Sequence, residues 1–168
     1  MDESSIKDSL NKPLEEIMIE DVFKTALAME KRGEKIYYLL AEKIPNVKIK
    51  EVLLILSEEE SKHYKRFQEM SFEVQHIMTH SIPGTLAAIT KYTQGKIFDD
   101  VVLKQKLKNL SDLDSIFEFA MGIELDSILL YQELKDVVSP NLKSIINDFI
   151  DQERFHFLRI LQLKQTKT

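Results

Sequence analysis

The chain repeats itself, and the repeated positions are polar ones. Phe23, Ala26, Glu30 and Tyr37 return 94 residues later as Phe117, Ala120, Glu124 and Tyr131. With a shift of one residue, Glu60 and His63 return as Glu153 and His156. A solvated surface has no reason to preserve such identities through a duplication. The unit duplicated is a helical hairpin that carries one glutamate on its first helix and Glu-x-x-His on its second.

Four segments carry helical periodicity. The first spans residues 20–44 and stops at Pro45, because a residue before proline is driven out of the helical region. The second spans 46–70. The third starts at Ser111, where "SDLD" reads as a capping box, and runs to about Val138. The fourth opens with Ser139 as N-cap and Pro140 at the first helical position, and ends near Gln165. Their inward stripes step by three and four: Phe23, Leu27, Glu30, Glu34, Tyr37, Ala41 on the first, Leu53, Leu56, Glu60, His63, Phe67 on the second. The later pair follows suit with Phe117, Met121, Glu124, Ile128, Tyr131 and then Ile146, Phe149, Glu153, His156, Ile160. That seam belongs to an antiparallel bundle. Each helix of about 25 residues is about 37 Å long. Short links join the first two helices and the last two, so the chain predicts an all-α four-helix bundle of two hairpins joined by a long crossover. Within that crossover "GTLAAITKYT" predicts a short helix ending at Gly95. Residues 1–12 read as a polar, mobile arm and 13–168 as the bundle domain. Leu14, Ile17 and Met18 are able to extend the first helix backwards.

Composition narrows the function. There is no cysteine, which excludes disulfides, thiolate metal sites and a cysteine nucleophile. Four glycines and four prolines are too few for a turn-rich fold. The net charge of −5, without a basic block, argues against nucleic acid. The start, "MDESSIKDSL", lacks the basic and apolar regions of a signal peptide, and the longest aliphatic run, "VLLIL", is far too short to span a membrane. The expectation is a cytoplasmic protein.

Glu and His three apart on a helix point the same way and can share one metal. Two such helices, plus one glutamate from each of the others, supply the ligands of a dinuclear carboxylate centre. The candidates are Glu30, Glu60, His63, Glu124, Glu153 and His156. Four buried carboxylates bring four negative charges, which two divalent cations balance and an empty dry core does not. Oxygen-rich ligation with one nitrogen per metal suits iron or manganese better than structural zinc. Glu34, one turn after Glu30, is a candidate extra ligand. Tyr37 and Tyr131, two turns from the glutamates of their helices, read either as core tyrosines or as hydroxyls that orient ligands. Glu58 and Glu59 read as solvated face, Asp126 and Asp151 as outward, and His76 and His80 as non-ligands. Gly33 and Ser127 leave space beside the metals.

"AMEKRGEKIYYLLAEKI…EEESKHYKRF" and "AMGIELDSILLYQELKD…DQERFHFLRI" resemble the ferritin-like di-iron domain of rubrerythrins over about residues 20–165. The resemblance implies a bundle holding two irons. In it Glu30 and Glu124 would be terminal ligands, Glu60 and Glu153 would bridge, and His63 and His156 would each bind one iron. It further implies reduction of hydrogen peroxide, electrons from a rubredoxin-type iron centre, and a homodimer. Two departures stand out. The four cysteines of a rubredoxin domain are missing, so electrons would come from a separate, rubredoxin-like donor. The family's second glutamate on the third helix, which moves between metal states, is Ser127 here.

Three functional readings follow. The first is a redox enzyme reducing hydrogen peroxide or dioxygen. The second is a ferroxidase feeding an iron store, which needs a many-subunit cage. The third is a non-enzymatic interaction module that keeps the bundle for structural reasons.

Overall fold

The computed structural model describes residues 11–74, 82–96 and 100–166. His76, His80 and residues 1–10 of the predicted arm lie outside them. Six α-helices follow one another among the described residues: α1 (Ile19–Lys43), α2 (Val47–Val74), α3 (Gly84–Gln94), α4 (Asp100–Asn109), α5 (Leu113–Lys135) and α6 (Pro140–Gln165). The hairpins α1–α2 and α5–α6 pack along their lengths, and α1 lies against α5 and α2 against α6. The all-α bundle of two hairpins stands as expected.

Local chemistry sets the helix ends. Asp21 caps α1: its carboxylate accepts the Met18 N–H at 3.0 Å and is held by Lys12 Nζ at 2.8 Å. Before it, Leu14–Glu16 form a separate 3₁₀ turn, so these residues do not lengthen α1. Asn46 Oδ1 takes the N–H groups of Lys48 and Ile49 at the start of α2. The predicted capping box is displaced by one residue. Asp112, not Ser111, caps α5, and it exchanges bonds with Ser115. Aspartate is the better acceptor for a first-turn N–H, and Ser115 answers with its hydroxyl. Helix α5 stops at Lys135 rather than Val138, where the Val137 N–H tightens onto the Leu134 carbonyl.

Among its described residues the crossover holds two helices, one more than the sequence predicts. Helix α3 packs on both α1 and α5, burying Leu86, Ala87 and Thr90, and Gln94 reaches Thr25 at 2.9 Å. Helix α4 contributes Leu103 and Leu107, one turn apart, to the core. Two apolar clusters fill the bundle. One gathers Phe23, Phe67, Tyr131 and Phe149; the other gathers Tyr37, Leu40, Leu53, Phe117 and Ile160. Between them sits a layer of buried charge.

Candidate metal centre

All six predicted ligands are buried, none more than 3% exposed. Two donor clusters form among the described residues: Glu30, Glu60, His63 and Glu153, and Glu60, Glu124, Glu153 and His156. In each, the donor atoms lie within 4.8 Å of one another. Glu60 and Glu153 belong to both. The rings of His63 and His156 stack at 5.3 Å between centroids and 11° between planes. Each helix of the bundle supplies its share because its stripe turns one carboxylate, or one Glu-x-x-His pair, toward the axis.

Four of the six donors are held by side chains from outside the clusters. The Tyr37 hydroxyl of α1 donates to Glu124 of α5, and the Tyr131 hydroxyl of α5 donates to Glu30 of α1. The tyrosines therefore act across the bundle, on the other helix's glutamate. Each imidazole presents Nδ1 inward and Nε2 outward. His63 Nε2 bonds Gln152 Oε1 at 2.7 Å, and His156 Nε2 lies 3.2 Å from Glu59 Oε2, which also pairs with Arg159 at 3.1 Å. Glu59 was expected on the solvated face; it is half-buried and faces a candidate ligand. The repeat offered the one signal, since Glu59 and Gln152 are equivalent positions, each just before a Glu-x-x-His.

The other candidates stay out. Glu34 pairs with Lys31 at 2.6 Å and joins neither cluster. Asp126 is held by Lys96 at 2.7 Å and is more buried than expected, because α3 covers that side of α5. Asp151 points outward and pairs with Arg154, and Glu58 is exposed. Gly33 keeps the space the sequence suggested: a Cβ there would approach Glu60 Oε2 to 2.9 Å.

Electrostatics show how unusual the layer is. Burial, reinforced by the Glu153 charge, pushes Glu60 and Glu124 well above the usual carboxylate range. Burial works against ionised Glu153 too, but His156 and His63 outweigh it and hold this carboxyl below its ordinary value. For His63 burial opposes the charge, yet Glu153 and Glu30 lift it to about 11; His156 is lifted in the same sense by Glu124, Glu153 and Glu60. Burial raises Tyr37 and Tyr131 well above the phenol range, with Glu124 and Glu30 adding to it.

The residues fit a metal pair. His63 Nδ1 lies 2.9 Å from Glu153 Oε1 and 3.3 Å from Glu30 Oε2, yet it makes no aligned hydrogen bond. Glu30 Oε2, Glu124 Oε2 and both Glu153 oxygens are likewise buried without one. Buried polar atoms left this way are costly unless something else satisfies them, and atoms that converge without pairing suit a shared cation. Mostly oxygen donors with one imidazole per cluster suit iron or manganese.

The Rubrerythrin family model matches residues 21–96. Over those residues the chain is similar to rubrerythrins. A solved structure from Thermotoga maritima, described provisionally as a ferritin-like diiron-carboxylate protein, superposes with a TM-score of 0.67. It is 26% identical, over 90% of this chain and 97% of its own. No curated protein matches the chain in sequence. The family match takes in Glu30, Glu60 and His63 of the rubrerythrin-like centre. Glu124, Glu153 and His156 lie beyond it, where the internal repeat and the closed geometry take over. No described helix is long and apolar enough to cross a membrane.

Proposed function

We propose that the chain is a di-iron redox protein that reduces hydrogen peroxide or dioxygen with electrons from a separate donor. The observation that carries this reading is the pair of buried clusters sharing Glu60 and Glu153. Glu30 and His63 would hold one iron and Glu124 and His156 the other, with the two shared carboxylates between them. The bound pair supplies Lewis acidity and two electrons for breaking an O–O bond.

The chain's own groups do the rest. Tyr37 and Tyr131 fix the outer carboxylates by hydrogen bonds from the opposite hairpin. Gln152 and Glu59 set the imidazole tautomers by taking the outward N–H, leaving Nδ1 as donor. The apolar clusters above and below exclude bulk water, which strengthens every charge contact between them. Both tyrosine hydroxyls keep their protons at neutral pH, so they serve as hydrogen-bond donors to the carboxylates. With no cysteine among the 168 residues, a thiolate iron centre that delivers electrons belongs to another protein or domain.

The test is anaerobic loading followed by peroxide. About two irons per chain are expected by elemental analysis, with peroxide consumed faster than by the same iron free in solution. A loaded protein that consumes neither peroxide nor dioxygen above that background would sink the proposal. Size-exclusion chromatography addresses the storage alternative, since a cage-sized particle would favour it over a redox enzyme acting as a dimer.

A further inference from the structure

We propose that the outer face of the second hairpin is where two copies of this chain pack on each other about a two-fold axis. The face carries Leu125 and Leu129 on α5 and Phe155 and Leu158 on α6, all between 38 and 58% exposed. Leu125 follows Glu124, and Phe155 lies between Glu153 and His156. Successive residues of a helix turn by about 100°, so the same stretches send donors inward and carbon outward. The contact is independent of the reaction the centre performs.

The repeat sets this face apart from its duplicate. The equivalent positions of the first hairpin are Lys31, Lys35, Lys62 and Lys65, a lysine at each of the four. Lys31 and Lys62 keep their side chains mostly in water. One unit therefore solvates this face, and the other exposes carbon on it. A single exposed leucine is ordinary on a protein surface. A change between lysine and a large apolar residue at all four equivalent positions is not, and a concentrated apolar patch marks an interaction site.

Charge and area select the occupant. Beside the face Asp126 takes Lys96 at 2.7 Å and Asp151 takes Arg154 at 3.0 Å. Arg159 pairs with Glu59 at 3.1 Å while its guanidinium lies over the Phe155 ring. These pairs balance within the chain, so the face meets its own image without repulsion and gives a strongly charged partner little to hold. At about 180 Å² for a large apolar side chain, roughly half of it exposed, the four offer about 360 Å² per copy. A standard interface takes about 800 Å² from each partner, an apolar centre within a polar rim. The four side chains are the right size for that centre. Docking the face onto the lysine face of another copy would strip ammonium groups of water. Head-to-tail growth is therefore disfavoured, and the contact closes at two copies.

Sedimentation velocity on the full chain as purified, at micromolar concentration, should show twice the chain mass. Leu125→Lys combined with Phe155→Lys gives the second hairpin the residues of the first. It should raise the dimer dissociation constant by about a hundredfold or more, with helix content and metal content unchanged. Tyr38→Gln, which removes an exposed aromatic ring from the first hairpin, should leave the dimer intact. A thiol gives a second reading if the double variant does not fold. The chain has no cysteine of its own, so Leu158→Cys introduces a single one. Its alkylation should slow as the protein is concentrated into the dimer. A wild type that is monomeric or larger than a dimer overturns the assignment. So does a dimer that survives the lysine pair, one that Tyr38→Gln dissociates instead, or a thiol alkylated equally fast at every concentration.

Discussion

The two halves of the centre are built alike and backed differently. On one side Glu30, His63 and the hydroxyl of Tyr131 meet; on the other, Glu124, His156 and the hydroxyl of Tyr37. Behind the imidazoles the match ends. His63 leans on the neutral amide of Gln152, and His156 on the carboxylate of Glu59, itself paired with Arg159. Next to the glutamates, Gly33 has become Ser127, and a side chain fits on one side only. Duplication has kept the converging donors and their tyrosines and let the groups behind the imidazoles diverge. A carboxylate behind an imidazole makes it a stronger donor than an amide does, so of two bound metals the one beside His156 would be the more electron-rich.

The largest break in the comparison comes from the shared residues. Glu153→Gln removes a donor from both clusters and should reduce bound metal, by elemental analysis, to background. It should also destabilise the metal-free protein by about 3 kcal/mol in denaturant melts at neutral pH, because two buried imidazoliums each lose one of their carboxylate partners. The folded-state value of Glu153 is lowered, so its stabilisation is present above the ordinary carboxylate range and is lost as pH falls through the folded value. Glu124→Gln, whose carboxyl is raised instead, should cost the metal-free protein far less. Equal costs would show that the two carboxylates are not set apart as described.

A sharper test exchanges the backing groups. Glu59→Gln should weaken one metal by about tenfold or more and leave the other nearly untouched; Gln152→Glu should strengthen its own side. Stepwise metal titration reads both, and a double exchange should invert the order of filling. Two variants that shift both metals together would refute inequivalence.

The smallest effect concerns Gly33. Alanine there gains about 0.5–1 kcal/mol of helix stability. In the metal-free protein the Glu60 carboxylate is able to swing aside, and the melting temperature should rise. With metal bound Glu60 is held, so metal affinity should fall severalfold. Ser127→Ala should show neither effect. A Gly33→Ala protein that binds metal as the wild type does would show the contact to be soft.

The sequence announced the bundle because its stripes and its repeat are periodic, and periodicity needs no knowledge of contacts. Glu30, Glu60, His63 and their counterparts were visible for the same reason: charge on an apolar stripe is an anomaly. What stayed hidden depends on which side chains meet across helices. Tyr37 finds its partner 87 residues away and Tyr131 its partner 101 away, on the opposite hairpin, which no local spacing reveals. Glu59 hid inside a run of three glutamates, one position off the stripe. Helix α4 hid because only Leu103 and Leu107 face inward on a segment rich in lysine. The cap moved from Ser111 to Asp112 because two good capping residues stand side by side, and it is Asp112 that exchanges bonds with Ser115.

The sharing of Glu153 between both clusters sets an order on biosynthesis. The first hairpin leaves the ribosome already carrying a glutamate and a Glu-x-x-His, yet neither cluster is complete without α6. The tyrosine that holds Glu30 arrives 101 residues after it. A nascent chain therefore has no dinuclear centre to load until nearly its last helix is in place, and metal capture reports that the whole bundle has closed.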